Sequence, residues 1–134
     1  MEKLRLVSYA KEIEVNDNGD TIILQVEDQS IYHKLKKLGK TLEDKANEIK
    51  SLNPETDIEI IIDKLYEMDC YAKAAIDDIF GEGTCKKVYV GDIVPPVERH
   101  IEFIKQITPY FEEYAKERVQ RLEKYNPDRV GSSI

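Results

Sequence analysis

The chain has 134 residues and a mass of 15.5 kDa, the size of one ordinary domain, and its 41% hydrophobic and 35% charged residues mark it as globular. A net charge of -7 provides no concentrated positive surface for phosphate contacts, which argues against a nucleic-acid partner. No apolar run approaches the roughly 20 residues needed to cross a bilayer, and the opening Met1-Glu2-Lys3-Leu4-Arg5 lacks the apolar stretch of a signal peptide. A cytoplasmic protein with two free thiols is therefore expected.

The first 26 residues carry β signals. Apolar and polar side chains alternate over 4–8 and again over 12–15, followed by Asn16-Asp17-Asn18-Gly19-Asp20, where Asn-Gly suits positive φ. Residues 21–26 are then β-branched and apolar, which predicts a hairpin whose apolar face lies on a helix. From Asp28 the period changes. Ile31, Leu35, Leu38, Leu42, Ala46, Ile49 and Leu52 recur at spacings of three and four, predicting an amphipathic helix over 29–52 with Asp28 as its N-cap. Gly39 opposes helix by about 1 kcal/mol relative to alanine, and Asn53-Pro54 stops it.

Thr56-Asp57-Ile58-Glu59 reads as a capping box, in which Thr56 and Glu59 satisfy each other's backbone donors. Behind it Ile58, Ile61, Ile62, Leu65, Met68, Ala72, Ala75, Ile76 and Ile79 form a broad apolar face suited to burial, ended by Gly81 and Gly83. The acidic excess is concentrated here. Over 53–82 there are nine acidic side chains against only Lys64 and Lys73, while the remainder of the chain balances. Such a segment either steers a basic partner or is a solvated helix face.

Residues 84–94 form a connector in which Lys87-Val88-Tyr89-Val90 reads as a short strand. Pro95-Pro96 then opens a helix whose stripe runs through Val97, Ile101, Ile104, Ile107, Phe111, Tyr114, Ala115, Val119, Leu122 and Tyr125. At Pro109 the helix either kinks, or Thr108 caps a new one. A straight helix over 95–125 would be roughly 46 Å long, against a domain diameter of about 36 Å. Either the C-terminal half bends, or its stripe meets another subunit. The residues expected to contact a partner are Phe111, Tyr114, Arg118, Leu122 and Tyr125. Residues 1–125 read as a single α+β domain, a hairpin packed on three main helices with the last bent or broken near Pro109, and 126–134 as a flexible C-terminal tail.

Chemistry-bearing residues are sparse. His33 and His100 fall on different helices and read as exposed surface residues, and Cys70 and Cys85 lack the spacing of a zinc site. Cys85, in a Gly-x-Gly-Thr-Cys loop, reads either as a nucleophile or as a small buried packing residue, with packing favoured because only Lys86 and Lys87 adjoin it. Gly81-x-Gly83 follows a helix and lacks the remainder of a phosphate loop. Asp77, Asp78 and Glu82 lack calcium-loop spacing. Lys34, Lys36, Lys37 and Lys40 form a patch best explained by pairing with the acidic second helix, in the same subunit or a neighbour. Tyr110, Tyr114 and Tyr125, with Phe103 and Phe111, suit either an interface or ordinary packing against the hairpin. The residues thus point to no catalytic, metal or cofactor site.

The Phe80-Gly81-Glu82-Gly83-Thr84-Cys85 loop, the approach over 92–96, the long last helix and the closing Lys124-Tyr125-Asn126-Pro127-Asp128-Arg129 together carry a resemblance. So does the opening, where the Asp17-Asn18-Gly19-Asp20 turn and Asp28-Gln29-Ser30 lead into the first helix. Over most of its length the chain resembles phage and prophage tail-assembly-chaperone proteins of Gram-positive hosts. The resemblance implies a non-enzymatic protein of the host bacterial cytoplasm that binds a tail component, such as the tape-measure protein, and self-associates. A tail-completion or adaptor protein retained in the virion is the alternative.

Overall fold

The computed structural model describes residues 1–125. The expected tail over 126–134 lies outside them.

The N-terminal hairpin pairs β1 (Lys11–Glu14) antiparallel with β2 (Thr21–Leu24), in the register Lys11 to Leu24 and Ile13 to Ile22. Residues 4–8, despite their alternation, lie outside the sheet, with Leu4 and Leu6 exposed. Asn16 organises the turn. Its Oδ1 accepts from the backbone N–H of Asn18 at 2.8 Å and of Asp20 at 3.2 Å, while Gly19 takes φ +84°. Its Nδ2 donates to the Lys87 carbonyl at 2.8 Å, fastening the hairpin to the distant connector.

Helix α1 (Gln29–Lys50) is capped by Asp28, whose side chain accepts from the Ser30 N–H at 3.0 Å, and it runs unbroken through Gly39. Helix α2 (Ile58–Phe80) starts differently from expectation. Its N-cap is Asp57 without a side-chain cap bond, and the Asp57 carboxylate accepts instead from Asn53 N–H at 3.0 Å. Asn53 Oδ1 in turn accepts from Glu55 N–H, so a side-chain-stabilised turn replaces the predicted Thr56–Glu59 box. Gly81, at φ +117°, ends α2.

The expected strand around Val88 is instead a short helix, α3 (Thr84–Val88), because Gly83 in the left-handed region restarts the chain helically and Asp77 accepts from the Cys85 N–H at 2.8 Å. Helix α4 (Val97–Glu123) follows Pro96 and continues through Pro109, so the break considered there does not occur. Thr108 does not cap a second helix. Its hydroxyl donates to the Ile104 carbonyl at 2.7 Å, within the turn where proline removes a backbone donor.

The architecture is α+β. Ile22, Leu24 and Val26 of the hairpin region pack with Leu38 of α1, Ile76 of α2, Cys85 of α3, and Phe103, Ile107 and Tyr114 of α4. A smaller cluster of Met68, Ala72 and Val97 lies beside Leu42, Ala46 and Ile49. Leu24 is fully buried, so Leu24→Ala should cost about 2–5 kcal/mol. Leu4→Ala at the exposed start should stay within about 0.5 kcal/mol. Urea denaturation checks both, and similar losses at the two sites would contradict this core.

Candidate interaction surfaces

Helix α4 presents two faces. Its inner face is closed: Tyr114 is only 8% exposed, with its ring centroid 5.8 Å from that of Tyr9. The Arg121 guanidinium lies 4.4 Å from the Tyr9 ring centroid and 5.3 Å from that of Tyr114, covering both aromatics. Tyr114 is therefore a core residue, and its expected place among the partner contacts is corrected. Phe111 sits half-buried at the core margin. The other expected contacts reach the surface: Arg118 is exposed, Leu122 is 51% and Tyr125 66% exposed, with Val119 beside them at 56%.

Between the start of α1 and the middle of α4 lies a cleft of about 360 Å³, walled by Val26 and Tyr32 on one side and Thr108, Phe111 and Ala115 on the other. A second cleft of about 420 Å³ runs between the hairpin and α4, with Arg99 and Glu102 on its wall. Among the described residues no group of three His, Cys, Asp or Glu side chains could hold a metal ion.

The first half of α2 is also uncovered. Ile58, Ile62, Leu65 and Tyr66 fall within roughly 100° of helix circumference, and all four are exposed, with Ile62 at 57%. The cause is where α4 begins. Asp69 accepts from the Val97 N–H at 3.2 Å, so α4 starts level with Asp69 and covers Ala72 and Ile76 beyond it, leaving the preceding turns bare. The expected apolar face is thus buried only in its second half. Charge accentuates this end. Lys64 pairs with Glu48 at 2.6 Å and Lys73 with Asp92 at 2.9 Å, so both cations of the acidic segment are engaged by acids outside it. Among the described residues the lysine patch of α1 makes no ion pair with α2 of its own chain; Lys36 lies over the Tyr32 ring.

A polar cluster is closed inside the fold. His100, expected at the surface, is 1% exposed, and its Nδ1 lies 2.7 Å from the Tyr89 hydroxyl. Its spacing from Val97, Phe103 and Ile104 places it on the apolar stripe, a signal that a scan for hydrophobic types passes over. Whichever tautomer pairs with Tyr89, Nε2 has no hydrogen-bond partner among the described residues, at a cost of roughly 1–3 kcal/mol. Burial holds the imidazole below its ordinary pKa, with Asp77 opposing. Cys85 is buried, as its packing role requires. Its thiol donates to the Lys73 carbonyl at 3.6 Å and is pushed up to about 12 by desolvation and then by Asp77. Burial also raises the Tyr89 phenol. Asp77 serves the backbone of α3 here, accepting from the Cys85 N–H.

The family-model comparison bears on nearly all of this frame. The match to the model described as "Family of unknown function (DUF6673)" spans residues 18–132 and takes in every helix. The chain belongs to that family. No curated protein and no solved structure matches it.

Two measurements probe the buried cluster. As pH falls through about 6.5, the unfolded chain gains a proton that folded His100 refuses, so stability should decline until pH reaches the lowered folded-state pKa. Melting curves between about pH 7.5 and 5.5 should therefore slope less in His100→Gln than in the native chain. A disulfide reagent at neutral pH should modify half-buried Cys70 well before Cys85; faster reaction at Cys85 would contradict its burial.

Proposed function

We propose that this protein is a non-enzymatic phage tail assembly protein that binds and chaperones a tail component such as the tape-measure protein. The observation that carries the reading is the bare ridge of Ile58, Ile62, Leu65 and Tyr66, four large side chains on one acidic helix left exposed among the described residues. Scattered exposed apolar residues are ordinary, whereas a contiguous ridge marks a binding surface. Its physical use is to lie against an apolar helix of a client, with the surrounding carboxylates favouring basic flanks. The buried, protonated Cys85 thiol supports a binding role over a nucleophilic one. The resemblance to tail assembly chaperones supplies the client class, and host cytoplasm is the corresponding location.

Co-expression with a phage tape-measure protein tests this reading. The native chain should raise the soluble fraction of the tape-measure protein, and Ile62→Glu with Leu65→Glu should abolish the gain while leaving the chain folded. Unchanged client solubility with the native chain would sink the proposal.

A further inference from the structure

The first eight residues leave the sheet for a specific reason. After Leu24 strand β2 turns away, the Val26 N–H donating to the Leu24 carbonyl at 2.9 Å, so the chain before Lys11 loses its ladder partner. The Ala10 N–H turns to the Ser8 hydroxyl, and the Tyr9 N–H donates to the Glu27 carboxylate at 2.7 Å. Tyr9 is thereby the root of an arm, held by Glu27 at its backbone and by Tyr114 and Arg121 at its ring. Beyond the root, Leu4 and Leu6 are 96% and 92% exposed. Two residues apart, they fall on one side of an extended chain. Among the described residues no backbone–backbone hydrogen bond holds positions 1–8.

The arm is rooted beside an apolar cleft. Val26 and Gln29, on either side of Glu27 in the chain, both line the cleft between α1 and α4. Adding the 2.7 Å bond to a glutamate side chain of about 5 Å and a Cα step of about 3.8 Å puts the root within about 12 Å of Val26. The five residues from Tyr9 to Leu4 span about 17 Å when extended, which brings Leu4 into the cleft. Val26, Phe111 and Ala115 offer it apolar contact there. Glu112, on the same wall, has no ion pair among the described residues, and Lys3 and Arg5 flank Leu4. The acidic ridge of α2 is complementary to this arm too, but it lies beyond Val97, about 25 Å along α4 from Tyr114 and out of reach.

We propose that the N-terminal arm is a strap that swings about Tyr9 and closes this cleft within its own chain. Closed, it sets Leu4 against Phe111 and Ala115, Leu6 at the rim, and a flanking cation on Glu112. The structure describes the open position. Burial of two leucines is opposed by the ordering of eight residues, terms of similar size. Open and closed forms are therefore comparably populated, and closure adds little to overall stability. What the strap controls is how often the apolar cleft faces solvent.

The strap does not rest on the client reading, and its test needs no client. In a Cys70→Ser background, Leu4→Cys is combined with Ala115→Cys in one chain and with Glu113→Cys in another. Both target positions are exposed and nearly level on α4, but they lie about 160° apart around it. Glu113 is on the side of the Tyr9 root. Under mild oxidation at micromolar concentration the Ala115 pair should close within the monomer about fivefold faster, since docking raises its effective concentration. A freely moving arm would meet the nearer Glu113 at least as often. Adding Leu6→Asp should remove the preference. A second readout uses the full chain with Leu4→Asp and Leu6→Asp. Its affinity for a naphthalenesulfonate dye should rise about twofold, because ending a closure of about half the molecules doubles the open fraction. Ala115→Glu should erase that rise. The proposal is overturned by cross-linking no faster at Ala115 than at Glu113, by a cross-linked dimer in place of a monomer, or by dye affinity that the aspartates leave unchanged.

Discussion

A two-stranded hairpin cannot stabilise itself in water, and the rest of the structure follows from covering it. Ile22, Leu24 and Val26 must be removed from solvent, and α4 does so with Phe103, Ile107 and Tyr114 while α1 and α2 contribute Leu38 and Ile76. Tyr9 and Arg121 extend that closure along α4 beyond the sheet. The requirement fixes which arc of α4 faces inward. A helix of 27 residues is about 40 Å long and carries more apolar arc than this small core can take. The excess lies on the outer stripe, where Val119, Leu122 and Tyr125 remain in water.

Electrostatics follows the same division. Only two ion pairs occur among the described residues, and each joins a lysine of the acidic segment to an acid elsewhere. Exposed pairs of this type contribute at most about 1 kcal/mol, so they orient elements more than they hold them. Their larger effect is on the field. Lys64 and Lys73 are each bonded to an acid outside the segment, so the acidic excess of α2 and the bare apolar ridge lie on one helix. Apolar exposure and negative charge thus coincide at one place on the surface.

The helices were legible because their periodicity is long and their buried arcs are repeated many times, as with Ile31, Leu35 and Leu38 in α1. The departures lie where a few polar contacts override local preference. Val88 and its neighbours have β propensity, yet Gly83 and the Asp77 carboxylate start a helix there. Thr56 has capping chemistry, but the Asn53–Asp57 exchange takes the turn first. His100 appeared polar by type and is buried by position, since its only polar partner, Tyr89, comes from a connector whose path no local pattern reveals. Of the expected contact residues, Tyr114 was misplaced because a helical stripe does not show which of its members face the chain's own hairpin.

The two uncovered surfaces are related by the start of α4. Val97 is bonded to Asp69, so the bare ridge of α2 begins beside the N-terminal end of α4, whereas the exposed Val119, Leu122 and Tyr125 lie toward its other end. About 33 Å of helix separates Val97 from Val119. The two surfaces therefore share no side chain, and a substitution at one leaves the other in place.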